Sequence, residues 1–136
     1  MSAGLDLSDV PEGLRPAAAA AIEAAGLRSG HLSIELVGAK RIRRLNREHR
    51  GRDEATDVLA FPIDGAAEIP GPRELGDVLI CPEHAVDLNR ATVHGVLHLC
   101  GYDHEVDGGE MLALEETVMG SLAPGEQRAA RGAPKP

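Results

Sequence analysis

His94-Gly95-Val96-Leu97-His98-Leu99-Cys100-Gly101-Tyr102-Asp103-His104 holds three of the chain's six histidines in eleven residues. Positions 94 and 98 are four apart, so on a helix both imidazoles leave the same face, one turn apart. Gly101 then permits a turn, with positive φ open to it, that brings the chain back and lets His104 reach the third corner of a site. Three imidazoles with an open fourth position are the usual donor set of a catalytic zinc ion. A histidine pair at this spacing is common without any metal; the third histidine, behind a glycine at this offset, is what points to one. A structural zinc would call for a fourth protein ligand, and Cys100, two residues after His98, points away round the helix. The expectation is one zinc-like ion on His94, His98 and His104.

The spacing His-x3-His-x2-Gly-x2-His is shared with metzincin proteases. Those enzymes carry a glutamate directly after the first histidine, the general base of peptide hydrolysis. Here that position is Gly95. The donor geometry is kept, the protease base is missing, and proteolysis is not expected.

The flanking chain alternates between strand and helix patterns. Downstream, Gly108–Leu122 reads as a helix with Met111, Leu114, Val118 and Leu122 at core-facing spacing. Upstream, Pro82 is expected to open a helical region that runs to Leu99. Leu75–Cys81 and Asp57–Phe61 read as strands, the second stopped by Pro62, with a turn-rich loop over Ile63–Arg73 between them. Ala39–His49 places Ile42 and Leu45 on one helical side and ends at Gly51. His31–Val37 reads as a strand, Ala17–Ala25 as a helix with Pro16 at its start and Gly26 at its end, and Leu5–Leu7 as a short strand. A single domain over residues 1–122 is expected, followed by a disordered tail over 123–136, where proline, glycine, alanine and charge dominate.

The length of 136 residues leaves little room for a second domain. Hydrophobic residues make up 43% of the chain, but Phe61 and Tyr102 are its only aromatic residues, so the core must be aliphatic. A domain of this size buries only about two-thirds of its unfolded surface, so a metal would add useful stability. The net charge of −8 argues against a protein that coats nucleic acid indiscriminately. Two cysteines, Cys81 and Cys100, do not make a disulfide framework and read as buried thiols. The first residues lack the basic start and apolar run of a secretory signal, and Ala17–Ala25 is too short for a membrane span and is interrupted by Glu23. A cytoplasmic protein with no membrane partner is the expectation.

Charge is unevenly distributed. Lys40, Arg41, Arg43, Arg44, Arg47, Arg50 and Arg52 are half of the fourteen Lys and Arg residues. Such a stripe is the electrostatic footprint of a phosphate backbone, with the acidic remainder limiting binding elsewhere. The plainer meaning of a charge run is a solvated face laced by ion pairs, and within the segment only Glu48 is available to pair. Lys40, Arg43, Arg44, Arg47 and Arg52 are therefore candidate RNA contacts. With stacking platforms nearly absent, any grip on RNA rests on charge and shape.

Several segments together resemble the YbeY family. They are Thr56-Asp57-Val58-Leu59-Ala60-Phe61-Pro62, Leu75-Gly76-Asp77-Val78-Leu79-Ile80, and His94–His104 with its Gly-Tyr-Asp-His ending. Leu45-Asn46 and His49-Arg50-Gly51 are similar to the segment before the first of these, and Met111 and Glu115-Glu116 to the last helix. The resemblance covers residues 32–122. It implies an α/β (α+β) fold: a single compact domain, a small mixed sheet surrounded by helices, and a zincin-like helix bearing the histidines. It also implies a zinc-dependent endoribonuclease acting in 16S rRNA 3′-end maturation, ribosome assembly and quality control. On this likeness His94, His98 and His104 are the zinc ligands and Arg50 is the catalytic arginine of an RNA-facing cleft. The implied partners are rRNA and the small ribosomal subunit, with a ribosomal protein and an assembly GTPase by family analogy. The chain departs from the family pattern at His49, where an aromatic residue is usual, at Ala55, where proline is common, and at Ala60, where serine is common. Its stretch from Cys81 to His94 is also shorter.

In chemical terms, a metal on three histidines lowers the pKa of bound water toward about 7 and polarises a phosphoryl oxygen. Arg50, with Arg52, would stabilise charge developing on the phosphate. Asp103 either orients a ligand histidine from outside or caps the turn. Two rival readings share these residues. One is a non-catalytic ribosome-assembly factor that binds rRNA and uses its metal mainly to hold the fold. The other is a metal hydrolase acting on a small phosphorylated substrate.

Overall fold

The computed structural model describes residues 4–64 and 71–122. The tail expected over 123–136 and part of the loop expected over Ile63–Arg73 lie outside them. In chain order the elements are β1 (Leu5–Asp9), α1 (Arg15–Ala24), β2 (Gly30–Leu36), α2 (Ala39–Arg50), β3 (Val58–Pro62), β4 (Glu74–Ile80), α3 (Leu88–Leu99) and α4 (Glu110–Ser121). A single 3-10 turn, Glu12–Leu14, precedes α1. The strands form one sheet in the order β1-β2-β4-β3. The β1–β2 and β2–β4 pairs are parallel, and β3 runs antiparallel to β4 with Leu59 opposite Leu79. This is the small mixed sheet of an α+β domain, as the resemblance implied.

Side-chain alternation along the strands sorts two cores. Val58, Val78 and Ile80 face one side of the sheet, where they pack with Ala21 and Ile22 of α1, Val93, Val96 and Leu97 of α3, and Met111 and Val118 of α4. Leu59, Leu79 and Cys81, one residue out of phase, meet Ile42 of α2 on the other side. Three helices therefore cover one face and α2 covers the other. Alanine at positions 17, 18 and 21, fully buried, lets α1 approach its neighbours closely without aromatic bulk. Among the described residues no helix is long and apolar enough to cross a membrane.

Two helices begin later than their sequence patterns suggest. The helix expected from Pro82 starts at Leu88, because the Asp87 carboxylate accepts from the backbone N–H groups of Asn89 at 2.9 Å and Arg90 at 3.2 Å and so sets the N-terminus there. Residues before it form turns instead, with the His84 N–H donating to the Cys81 carbonyl. The last helix starts at Glu110 rather than Gly108, with the Asp107 carboxylate accepting from the N–H groups of Gly109 and Met111.

Helix α3 comes unusually near the sheet at Gly95. A Cβ at that position would lie 2.7 Å from Val78 Cγ1 and 3.0 Å from Val58 Cγ2. The position that carries the base in metzincins is here turned into the sheet, and only the absence of a side chain lets the helix sit down on β3 and β4. Replacing Gly95 by glutamate should overpack this contact and bury a carboxylate against two valines. The expected loss is more than about 3 kcal/mol, measured by chemical denaturation.

One polar group ties three strands at the end of the sheet. His31 of β2 has Nδ1 2.7 Å from Glu74 Oε1 of β4 and Nε2 2.7 Å from Asp9 Oδ2 of β1. Only the doubly protonated ring donates to both, so the Asp9 bond first and the Glu74 bond second raise the His31 pKa above its ordinary 6.5. A histidine whose pKa rises on folding stabilises the fold fully below 6.5 and loses that contribution as pH climbs through the folded-state value. Accordingly, His31→Gln should be less stable than wild type in denaturant titrations at acid pH. The gap should shrink steadily as the pH is raised past neutrality.

Candidate metal centre

Helix α3 ends where the histidine spacing requires. The Tyr102 N–H donates to the Leu97 carbonyl at 3.1 Å and the Gly101 N–H to His98 O at 3.0 Å, with Gly101 at φ 102°. A residue with a Cβ is strained at that φ, so glycine is what lets the chain reverse here. The reversal delivers His104 beside the two helix histidines. The ring centroids are 4.8 Å apart for His94 and His98, 5.1 Å for His94 and His104, and 5.5 Å for His98 and His104. One nitrogen from each ring lies within 4.8 Å of the others. These three are the cluster of metal-ligating type found among the described residues, and all three side chains are half-buried.

Two of the rings are held from outside. His98 Nδ1 donates to the Tyr102 carbonyl at 2.9 Å, and His94 Nδ1 lies 2.7 Å from Glu115 Oε1 of α4. Such bonds fix the tautomer and leave Nε2 of each ring with its lone pair for a ligand. His104 Nδ1 is buried and has no partner among the described residues. Burial first, and then the neighbouring His94, lower the His98 pKa, so its ring is neutral at neutral pH, the form a metal requires. The donor set fits zinc or a similar borderline ion: three imidazoles, two of them oriented, with no fourth protein ligand grouped with them among the described residues. Cys100, the nearest sulfur in sequence, is buried with its thiol pKa pushed up to about 11, which makes it a poor ligand.

The histidines stand in a cleft of about 580 Å³ that Arg50, Asp57, Asp103 and Glu105 also line. The α2 C-terminus brings Arg50 there. Gly51 ends α2 in the left-handed conformation, and the buried Asn46 amide donates to the Glu54 carbonyl at 2.9 Å, pinning the turn that leads into β3. Arg50 Nη2 is 3.9 Å from Glu105 Oε2, and both side chains are about half exposed, so this pair is weak and easily exchanged for another anion. Asp103 lines the cleft, but its Oδ1 accepts from the Glu105 N–H at 3.0 Å, a turn cap. The groups found on the outer nitrogens of His94 and His98 are Glu115 and the Tyr102 carbonyl.

The other basic residues run along α2 and the turn after it, outside the cleft lining. Glu48 is not their partner. Arg43 makes two bonds to Asp53, at 2.8 and 3.2 Å, Arg47 approaches the same carboxylate at 3.6 Å, and Arg41 binds Glu35 at 2.7 Å. The pairing carboxylates come from the strand before the helix and the turn after it, positions that helix periodicity does not register. Lys40, Arg44 and Arg52 form no side-chain ion pair among the described residues, and all are exposed. Glu115 is the residue of the site that spacing arguments passed over. Its signal was present: it lies four residues after Met111 on the core-facing side of a helix, where a carboxylate needs a reason to be.

A family model described as Endoribonuclease YbeY matches residues 8–123. An Endoribonuclease YbeY of Anaeromyxobacter sp. strain Fw109-5 is 48% identical over 105 residues, covering 68% of this chain and 53% of the relative. That of Anaeromyxobacter dehalogenans is 45% identical over 117 residues, covering 72% and 59%, and that of Aquifex aeolicus 36% over 118 residues, covering 76% and 77%. A Thermotoga maritima protein solved in solution superposes with a TM-score of 0.48 at 24% identity, over 90% of this chain and 87% of that one. The chain spans about half the length of the first two relatives. With the family model matching most of its length and a histidine cleft of the implied kind in place, the chain belongs to the YbeY family.

Proposed function

We propose that this chain is a zinc-dependent endoribonuclease that hydrolyses RNA phosphodiester bonds in the maturation of the 3′ end of small-subunit rRNA. The observation that carries the reading is the convergence of three imidazole nitrogens in a cleft that also holds Arg50. The relatives' printed name, Endoribonuclease YbeY, supports the reaction class. Its proposed setting is the cytoplasm, in keeping with two unpaired buried cysteines. The small ribosomal subunit is the proposed partner, with a ribosomal protein and an assembly GTPase by family analogy.

His94, His98 and His104 would hold the zinc ion. When bound there, such an ion supplies Lewis acidity toward water and toward a phosphoryl oxygen. Arg50 leaves its weak contact with Glu105 and donates to the non-bridging oxygens of the phosphate, where charge builds up in the transition state. Gly95 offers no base at the metzincin position, and the carboxylates that line the cleft, Asp57, Asp103 and Glu105, are the candidates to take the proton. Lys40, Arg44 and Arg52 contact the flanking phosphates directly, while Arg43 and Arg47 do so by exchanging Asp53, an exposed partner and therefore a cheap one to give up.

The test is zinc content on wild type and His98→Ala, followed by cleavage of a small-subunit rRNA 3′ fragment by both and by Arg50→Ala. Near-stoichiometric zinc is expected in wild type and Arg50→Ala and not in His98→Ala. Cleavage should fall at least about 100-fold in both variants. Equal cleavage by all three would mean a contaminating nuclease, and would favour an rRNA-binding assembly factor whose metal serves the fold.

A further inference from the structure

Glu115 is 6% exposed, the one buried charged residue among the described residues, on a helix face it shares with Met111 and Val118. A carboxylate buried without partners is strongly destabilising, so its neighbours explain its presence. There are two, one for each oxygen. Oε1 lies 2.7 Å from His94 Nδ1, and Oε2 accepts from Arg90 Nη1 at 3.0 Å. Arg90 and His94 are four residues apart on α3, one turn apart on one face, so the Glu115 carboxylate from α4 bridges two adjacent side chains of the metal-bearing helix. The same Arg90 nitrogen also donates to Glu116 Oε2 at 2.7 Å, so a second bond to α4 holds the guanidinium in place.

We propose that Arg90 and Glu115 act as a positioning pair for His94 and set the affinity of the three-histidine site for zinc. This rests on the metal reading of the site. The supports of the three histidines are graded. His104 has an unpartnered Nδ1, His98 has a neutral carbonyl, and His94 alone has an anion. A carboxylate on the far nitrogen makes an imidazole a better donor and fixes its orientation. Arg90 contributes by holding that carboxylate in the one rotation that offers an oxygen to each partner. Because Arg90 uses one nitrogen for both acceptors, an ammonium could stand in for it.

Zinc dissociation constants, from competition with a chelating dye, would be measured for wild type, Glu115→Gln, Arg90→Ala, Arg90→Lys and the Arg90→Ala/Glu115→Gln double variant. Cobalt(II) absorption spectra would report the ligand field. Glu115→Gln is expected to weaken zinc about 10- to 100-fold and to shift the cobalt spectrum. Arg90→Ala should weaken it by a smaller factor, Arg90→Lys should restore most of that loss, and the double variant should be no worse than Glu115→Gln alone. Arg90 is partly exposed, so its variants keep the test open if Glu115→Gln folds poorly in the metal-free melt. Wild-type affinity in Glu115→Gln, or losses that multiply in the double variant, would overturn the pairing while leaving the metal site standing. No zinc bound by wild type would remove both.

Discussion

The seating of α3 on the sheet at Gly95 is the constraint on which the rest of the molecule depends. Val58 and Val78 leave no room for a Cβ there, so the helix axis lies as near to β3 and β4 as backbone permits. That helix carries His94 and His98 into the cleft that Asp57 and Ala60 also line. It also settles a chemical question. The residue that follows the first histidine carries no side chain and faces valines, so it supplies no base.

Around that contact the protein builds its site from three different helices. α3 supplies two imidazoles, the turn after it supplies the third, α4 sends in Glu115, and α2, from the opposite face of the sheet, sends Arg50 past the sheet's end. With Phe61 and Tyr102 as the only aromatic side chains, little in the core is large enough to act as a wedge. Small residues therefore do the fitting, with alanines under α1 and glycine under α3 allowing close approach and dispersion contacts rather than bulk filling the interior. The polar anchors work at the ends. Asp87 and Asp107 set where α3 and α4 begin, and His31 ties three strands.

The basic segment illustrates how a charge count differs from a charge surface. Seven cations lie close together in sequence, yet Arg41, Arg43 and Arg47 are engaged by Glu35 and Asp53. These pairs are exposed, so they weigh little on stability. What the helix and the turn after it leave without an ion pair among the described residues is a smaller set of exposed cations, Lys40, Arg44 and Arg52.

Local sequence determined most of the elements and the histidine cluster. Period-two and helical spacing mark the strands and helices, Gly51 and Gly101 mark where helices stop, and the three histidines declare themselves because a helix fixes the direction of residues four apart. The family likeness, not the periodicity, carried the mixed sheet and the arginine. Tertiary structure alone decided what meets across elements. The start of α3 is a different case: Asp87 caps it through N–H groups two and three residues on, a local signal that the proline outweighed. Spacing does not say that Asp53 pairs with Arg43 and Arg47, that Gly95 faces two valines, or that Glu115 reaches His94. Those partners lie on different elements, and only the turn after α2 and the packing of α3 on the sheet and on α4 bring them together.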